Sequence, residues 1–289
     1  MTSLRAAAAL LTAVAAAAAL AQESVLDRPV EKAGWPSEIT RRPLTLADGM
    51  LEVTVPLGIG LSKDRAGKPI FFTPSVYYGV TDTLTLGIRH FQGLCVSGGP
   101  DCPKVYNDLS VDSLWRVWRG GSTDVAVGVA LNLSPVTDPF ALAAEARVVA
   151  RLRGGPASLT VAPALEVGIT NRDAARTEPL AFPLATTTFG FFQTVPNGRE
   201  MLRVPATLAV QATPSLALAV ATSLDGPLDP PTGGFWDYYR IPLGVGLVLF
   251  VDKVDLGASF TFLNLLGKQT GQLDRTDIRG MQVFVTYRM

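Results

Sequence analysis

Charged side chains recur at every second position in several segments of this chain, and they are its clearest candidates for chemistry. In residues 142–153, Glu145, Arg147 and Arg151 alternate with apolar residues, and Asp112 and Arg116 do the same in residues 109–119. Residues two apart point to the same face of a β-strand. Applied along the chain, this rule predicts one common face that carries Glu52, Arg89, Asp112, Arg116, Glu145, Arg147, Arg151, Glu166, Arg203 and Arg240.

Side chains on such a face have two possible roles. They can neutralise one another as ion pairs, because an unpaired buried charge is costly. Alternatively, they can bias the charge of a solute at a constriction, as rings of side chains do in channels. Both signs occur in similar numbers on this face, so the sequence leaves the two roles open.

Enzymatic chemistry finds little support in the residue types. His90 is the single histidine; it lies near the end of a candidate strand and shares parity with the apolar residues. A general base must reach its nucleophile within ~3 Å and be oriented by a third group, and Ser110 and Ser113 are the conceivable partners. The glycine-rich strings are not followed by a helix, which a nucleotide-binding loop requires. We predict no catalytic residue and no cofactor.

The two cysteines lie close together, as Cys95 and Cys102 in the string CVSGGPDC. In an exported chain, such a pair is typical of a disulfide that closes one loop. Two thiols without a nearby histidine make a poor metal site. We therefore predict a Cys95–Cys102 disulfide and no bound metal.

The first residues indicate that the chain is exported. Arg5 precedes an apolar run that extends to about Leu20, and Ala19-Leu20-Ala21 fits a small-x-small cleavage site. A positive start, an apolar run of this length and such a site predict a secretory signal peptide over residues 1–21. Lysine plus arginine and aspartate plus glutamate balance at 25 each, which gives no reason to expect nucleic acid as a partner.

Alternation with a period of two persists over most of the remaining chain and predicts an all-β protein. Short and long connections alternate between the candidate strands. Soluble β-proteins have no reason to sort loop lengths by side, whereas transmembrane β-barrels do. An even number of strands places both ends of the sheet on the short-turn side. The twelve candidate strands are residues 50–61, 71–80, 84–92, 109–119, 124–134, 142–153, 158–170, 201–212, 216–224, 238–251, 254–263 and 277–289.

The strand face opposite the charges is apolar and is predicted to meet lipid. A charge at the bilayer midplane costs ~2–4 kcal/mol in a barrel, which explains why this face avoids charge. Glycines such as Gly58 and Gly128 share parity with the charges, and small residues on a concave face let a sheet curve. Aromatic residues on the apolar parity lie near strand ends, where their amphipathic rings can contact the lipid headgroups. They are Phe72, Tyr78, Trp115, Tyr239 and Tyr287.

In this pattern the chain resembles the transmembrane β-barrel proteins of Gram-negative outer membranes. The most specific match is the final string MQVFVTYRM, in which Met281, Val283, Val285 and Tyr287 alternate as in the last strand of that class. Members usually end in phenylalanine, where this chain has Met289. The resemblance implies that Val283, Val285, Tyr287 and Met289 form the assembly signal.

The resemblance also implies an architecture and a location. We expect an antiparallel up-and-down transmembrane β-barrel of about 12 strands over residues 42–289, after a signal peptide over 1–21 and a periplasmic N-terminal segment over 22–41. The barrel would lie in the outer membrane with both of its termini in the periplasm. Outer-membrane lipids and the outer-membrane assembly machinery would be its partners.

Several functions are compatible with such a barrel. About twelve strands lie between filled eight-stranded barrels and the open lumen at ~16–18 strands, so a narrow or plugged lumen is expected. The leading hypothesis is a narrow porin-like channel for passive passage of small polar solutes. The alternative is a closed structural or surface-interaction barrel without transport. An outer-membrane lipid-modifying enzyme and a soluble periplasmic β-protein are less favoured. Residues 171–200 could fold inward as a plug or form an outer binding surface.

Overall fold

The computed structural model describes most of the chain from residue 30 to its last residue. The described residues are 30–61, 67, 70–90, 94–96, 108–133, 136, 140–172, 176–179, 182–184, 187–189, 192–195, 200–228, 239–262, 264–265 and 279–289. The predicted signal peptide and Cys102 lie outside them. The predicted disulfide therefore stays a prediction.

Twelve antiparallel strands form one closed barrel, as predicted. Several strands are interrupted at a proline, such as Pro74, Pro163 and Pro205, because proline has no N–H to donate to the ladder. The strands are β1 (Leu51–Gly60), β2 (Ile70–Phe72 and Ser75–Thr81), β3 (Leu84–Arg89, continued by Leu94–Cys95), β4 (Leu109–Gly120), β5 (Thr123–Leu133), β6 (Leu142–Gly154), β7 (Ala157–Val161 and Ala164–Gly168), β8 (Glu200–Arg203 and Ala206–Thr213), β9 (Leu216–Thr222 and Asp225–Pro227), β10 (Leu243–Val251), β11 (Val254–Phe262) and β12 (Arg279–Arg288).

Pairing of the first strand with the last closes the sheet. β1 and β12 run antiparallel from Glu52 opposite Arg288 to Gly60 opposite Gly280. Leu51 and Met289 extend this ladder, since each backbone N–H donates to the other's carbonyl at 2.8 and 2.9 Å. The sheet therefore has no free edge, which is what a barrel in lipid requires.

Loop lengths sort by side in the structure as the sequence predicted. The connection from β1 to β2 is long, the one from β2 to β3 is a two-residue turn, and long and two-residue connections alternate in this way up to β12. Gly121 and Gly155 adopt positive φ in two of these turns, a conformation that costs glycine no Cβ clash. Within the long connection from β7 to β8, four short strands form two small hairpins: Arg176–Pro179 with Phe192–Val195, and Phe182–Leu184 with Thr187–Phe189.

The outer face of the barrel is apolar between the strand ends. Large aliphatic side chains are exposed there on every strand, for example Val129, Leu218 and Val285 at 53%, 48% and 48%. The residues of the predicted assembly signal also point outward. Such a surface would aggregate in water and is suited to lipid. Within the described part of the chain, no helix has the length and apolar character needed to cross a membrane.

Aromatic residues ring the short-turn end of this face, with one exception to the prediction. Tyr78, Trp115 and Tyr287 are each at least 42% exposed and lie close to the short turns. Tyr239 was expected to face lipid, but it is only 4% exposed. Its ring instead covers Gly226 of β9, where an added Cβ would come within 2.6 Å of the ring.

A segment outside the strands runs into the barrel from the short-turn end. We call residues 36–50 the inner segment. Its side chains Ile39, Thr40, Arg42, Leu44 and Leu46 are each at most 5% exposed. The inner segment spans residue 42, and the first strand starts at Leu51.

The inner segment packs on small residues of the barrel wall. Ile39 lies in a cluster with Val248, Phe250 and a patch of alanines on β8 and β9. Leu44 contacts Ala126, Val149 and Ala162 of β5, β6 and β7. Leu46 packs with Ala47, Met50 and Tyr77. Burying each of these aliphatic side chains stabilises the segment by ~1.5–3 kcal/mol.

Gly79 of β2 is where the backbone of the inner segment comes closest to the wall. Its N–H donates to the Met50 carbonyl at 2.8 Å, and its carbonyl accepts from Gly49 at 2.9 Å. A Cβ at residue 79 would lie 2.0 Å from the Ala47 carbonyl oxygen. The contact therefore requires a residue without a side chain.

We predict that Gly79→Ala loosens the inner segment and destabilises the protein by ~1–3 kcal/mol, the usual cost of overpacking. Gly154→Ala is the matched control, since a Cβ there has no neighbour within 4 Å. Limited digestion with a broad-specificity protease, followed by mass spectrometry, should show faster cleavage within residues 36–50 in Gly79→Ala only. Equal digestion of the two variants would contradict the close approach.

Candidate functional site: the charged lumen and the segment that closes it

A belt of ion pairs crosses the lumen wall from β4 to β8 on the side of the long loops. Arg147 donates to Glu145 at 2.9 Å and also pairs with Asp112. Arg203 bridges Glu145 at 3.3 Å and Glu166 at 3.1 Å. All five side chains are at most 15% exposed. Each carboxylate in the belt thus faces a guanidinium, the arrangement that makes buried charge tolerable.

Neutral groups extend this belt around the barrel. Asn132 of β5 donates to Glu166 at 2.6 Å and accepts from the Ser110 hydroxyl at 2.7 Å. The Tyr77 hydroxyl of β2 reaches Asp112 at 3.4 Å. Side chains of the belt therefore link β2 with each strand from β4 through β8, in addition to the backbone hydrogen bonds between neighbouring strands. Such networks are stronger together than pair by pair.

A second ion-pair group joins the inner segment to the opposite wall. The Arg42 guanidinium forms a bidentate pair with Asp255 of β11, at 2.6 and 2.9 Å. Asp255 also pairs with Arg288 at 2.6 Å, and Arg288 pairs with Glu52 at 2.6 Å. Arg42 lies 4.7 Å from the ring centroid of Phe250, within the range of a cation–π contact. Burial lowers the pKa of Arg42, and the hydrogen bond to Asp255 opposes that shift.

Further hydrogen bonds hold the inner segment on other sides of the lumen. The Leu44 N–H donates to Asp124 of β5 at 3.2 Å, and the Leu46 N–H donates to the Thr85 hydroxyl of β3 at 2.8 Å. The Ile39 N–H donates to Gln211 of β8 at 3.0 Å. Contacts thus reach the wall from β2 around to β11. The inner segment therefore lies across the lumen at the short-turn end.

Arginines of β6 bind the backbone of the inner segment. Arg151 donates to the Arg42 carbonyl at 2.7 Å. Arg153 donates to the Thr40 carbonyl at 2.9 Å and to the Arg42 carbonyl at 3.2 Å. Arg153 also pairs with Asp124 at 2.8 Å. The wall therefore holds this segment through carbonyl oxygens as well as through the Arg42 side chain.

A chamber lies between the belt and the inner segment. The volume of this chamber is about 120 Å³. Its lining includes Leu44 of the inner segment, Arg151, and the belt residues Asp112, Glu145 and Arg203. The chamber presents a charged surface that ends at the inner segment.

The ten charged residues predicted to share one face all lie on the inner side of the wall, but in different surroundings. Asp112, Glu145, Arg147, Glu166 and Arg203 form the belt. Glu52, Arg116 and Arg151 lie at the short-turn end of the barrel. Arg89 lines the chamber. Arg240 pairs through its backbone with Asp225 at the long-loop end of the barrel.

Arg42, Arg119 and Arg153 also lie on the inner side, although they were not among the predicted lumen residues. Arg119 was missed because a bulge between Arg116 and Trp118 shifts the register of β4, so that Arg119 faces Asp124. Arg42 lies outside the strands, where alternation carries no signal. Arg153 shares parity with Arg151 and could have been found by extending the rule to the end of β6.

The conceivable catalytic partners of His90 are occupied elsewhere. The Ser110 hydroxyl donates to Asn132, and the Ser113 hydroxyl donates to the Val129 carbonyl at 3.1 Å. His90 Nδ1 lies 3.7 Å from an oxygen of Asp108. The described residues therefore do not bring His90 and a serine together as a nucleophile and its base.

An apolar outer face, a charged inner face and a closed antiparallel sheet define a transmembrane β-barrel of the outer-membrane type. Solved structures with this fold are outer-membrane porins and channels. The NanC porin has a TM-score of 0.54 at 8% identity, over 82% of this chain and 100% of that one. The COG4313 outer membrane channel from Pseudomonas putida F1 has a TM-score of 0.52 at 12% identity, over 85% and 97%.

The KdgM porin has a TM-score of 0.50 at 9% identity, over 82% of this chain and 98% of that one. Identities this low establish a shared fold and nothing finer. No protein-family model matches the sequence, and no curated protein matches it.

We predict strong coupling between Arg203 and Glu166 in a double-mutant cycle. Arg203→Gln removes the cation that Glu166 and Glu145 share, and Glu166→Gln removes one of the two carboxylates that Arg203 bridges. Breaking one side of a buried pair costs ~3–5 kcal/mol, so the double variant should lose much less than the sum of the single variants. Urea unfolding in lipid vesicles measures these free energies.

The exposed pair Arg41–Glu38 provides the control cycle. Its oxygen and nitrogen lie 2.5 Å apart, but the Arg41 side chain is 73% exposed. Exposed pairs contribute ~0–1 kcal/mol, so this cycle should show little coupling. Comparable coupling in both cycles would mean that the lumen does not shield the belt from water.

Proposed function

We propose that this protein is a porin-like outer-membrane channel for small polar solutes, closed in the described state by its inner segment. The observation that carries the proposal is the charged chamber that continues from the belt down to Leu44 of that segment. Charged side chains can replace part of the water around a polar solute. The lumen thus has the lining of a passage and a closure at one end.

The closure can leave without opening the wall. The inner segment is not a strand of the barrel, and the β1–β12 ladder closes the sheet independently of it. Asp255 keeps its pair with Arg288 when Arg42 is removed. Displacement of residues 36–48 therefore breaks side-chain contacts and leaves the ladders intact.

The shared fold with porins and channels supports a role in passage. One neighbour, the KdgM porin, has been solved in complex with disordered oligogalacturonate. A porin of this fold therefore forms a complex with that ligand. We extend this to the present protein as a channel for small polar solutes, with no catalytic function and no cofactor.

The orientation follows from the predicted signal peptide and the sorted loops. We propose that the short turns, both ends of the barrel and the inner segment face the periplasm, and that the long loops face outward. Outer-membrane lipids would cover the apolar face. The outward alternation of Val283, Val285, Tyr287 and Met289 would be recognised by the assembly machinery.

We predict that Arg42→Gln opens the channel. The substitution removes the bidentate pair with Asp255 and leaves that carboxylate paired with Arg288, so the inner segment loses its anchor while the wall keeps its ion pair. Loss of the two hydrogen bonds to the charged Asp255 weakens the closed state by ~3 kcal/mol, or roughly 100-fold in the closed-to-open ratio. Single-channel recording in planar lipid bilayers should show frequent conductance steps in this variant and rare ones in the unaltered protein.

Arg41→Gln is the matched control, because Arg41 is the adjacent arginine but its side chain is exposed. This variant should behave as the unaltered protein does. A slower electrophoretic mobility after heating would verify that each barrel is folded before recording. Folded Arg42→Gln that inserts and stays silent would favour the closed structural barrel instead.

A further inference from the structure

Four arginines surround one carboxylate at the short-turn end of the lumen. Arg119 of β4 and Arg151 of β6 lie directly opposite Asp124 of β5 in the strand register. Arg153 pairs with Asp124 at 2.8 Å, and Arg116 lies on the same inner face of β4. Residues opposite one another in a sheet have Cβ atoms ~4.5–5.5 Å apart, so the positive charges are crowded. We call Arg116, Arg119, Arg151 and Arg153 the arginine cluster.

The arginine cluster has donors to spare. Arg116 is only 3% exposed, and its Nε has no hydrogen-bond partner among the described residues. The same holds for Nη1 of Arg119 within the described part of the chain, and one acceptor oxygen of Asp124, Oδ1, also has no partner there, so the unused donors still outnumber the unused acceptors. Buried donors without acceptors are costly, and excess buried charge is costlier still. Two independent features therefore point to a missing anion: unused donors and an excess of positive charge.

Oxygen atoms of the inner segment already occupy part of this site. The Arg42 carbonyl accepts from both Arg151 and Arg153, and the Thr40 carbonyl accepts from Arg153. These neutral carbonyl oxygens accept hydrogen bonds from the arginines but supply no negative charge. A guanidinium fork matches a carboxylate or phosphate better than it matches an amide carbonyl. An anion would therefore be a stronger acceptor at the same donors.

We propose that the arginine cluster binds the carboxylate or phosphate group of an anionic solute, and that this anion displaces the inner segment from its carbonyl contacts. The chamber gives access, since Arg151 and Leu44 both line its walls. The solute and the inner segment then compete for the same arginine donors. Binding of the solute therefore favours the open lumen. This inference rests on the proposed channel function and names its solute class and its trigger.

Inorganic phosphate is the probe for this site, applied to the full mature protein in lipid bilayers and in detergent. Phosphate should raise both the open probability and the rate of protease cleavage within residues 36–50. Sodium chloride at equal ionic strength should have a much smaller effect, because chloride cannot form the bidentate contact. Equal effects of the two salts would reduce the result to charge screening and overturn the proposal.

Arg116→Gln with Arg119→Gln tests the cluster itself, because neither side chain has a described contact with the inner segment. The phosphate concentration for half-maximal cleavage should rise about fivefold or more in this double variant. Lys253→Gln in the exposed turn between β10 and β11 is the control and should leave it unchanged. If the double variant does not fold, Arg119→Lys keeps the charge, loses the fork and should give a smaller shift of the same sign.

The outcomes separate this proposal from the channel function on which it rests. Opening by Arg42→Gln without a specific effect of phosphate would keep the channel and overturn the anion site. An unchanged phosphate response in Arg116→Gln with Arg119→Gln would do the same. Silence of Arg42→Gln would instead overturn the channel function, whether or not phosphate loosens the inner segment.

Discussion

Closure of the backbone ladder between β1 and β12 is the constraint on which the rest of this structure depends. In hydrocarbon, every unpaired N–H or C=O group costs several kcal/mol, so a sheet can cross a membrane only if it has no edge. Nine residue pairs from Glu52–Arg288 to Gly60–Gly280 remove that edge. Closure also fixes which face of each strand is enclosed. Most polar side chains of the alternating pattern then lie in an interior of limited width, and most large aliphatic ones lie on the outside.

The enclosed interior has to be filled in a way that satisfies its charges, and the protein does so differently at its two ends. Toward the long loops, carboxylates and guanidinium groups from β4 to β8 neutralise each other in one belt. Toward the short turns, the wall carries alanines and an excess of arginine, and residues 36–50 supply the missing volume and acceptors. Small wall residues and the inner segment are thus complementary: alanine and glycine leave the room that Ile39, Leu44 and the Ala47 carbonyl occupy.

In the proposed channel, this division lets one lumen be both rigid and able to open. The belt is built into the strands, so its loss would weaken the wall itself. The inner segment binds the wall through a bidentate ion pair, carbonyl oxygens and three aliphatic side chains, none of which belongs to the closed ladder. Its contacts are strong in sum, but each can be replaced by water or by a solute. A polar solute that offers better acceptors than a peptide carbonyl has the chemistry to take its place.

Much of this architecture was determined by the sequence, because the two-residue period of a strand is a local property. Alternation placed Glu145, Arg147 and Arg151 on one face and predicted about twelve strands, and loop lengths sorted the connections by side. Local pattern could not reveal the role of Arg42, Leu44 and Leu46, because they lie in a segment without periodicity. Their partners are distant in sequence: Arg42 pairs with Asp255, which is 213 residues further along the chain. Nor could it show that Arg119 faces the lumen, since that depends on a bulge in β4. Which inward charges neutralise one another and which are left to bind another group was decided only by tertiary structure, because closure alone brings distant strands within hydrogen-bonding distance.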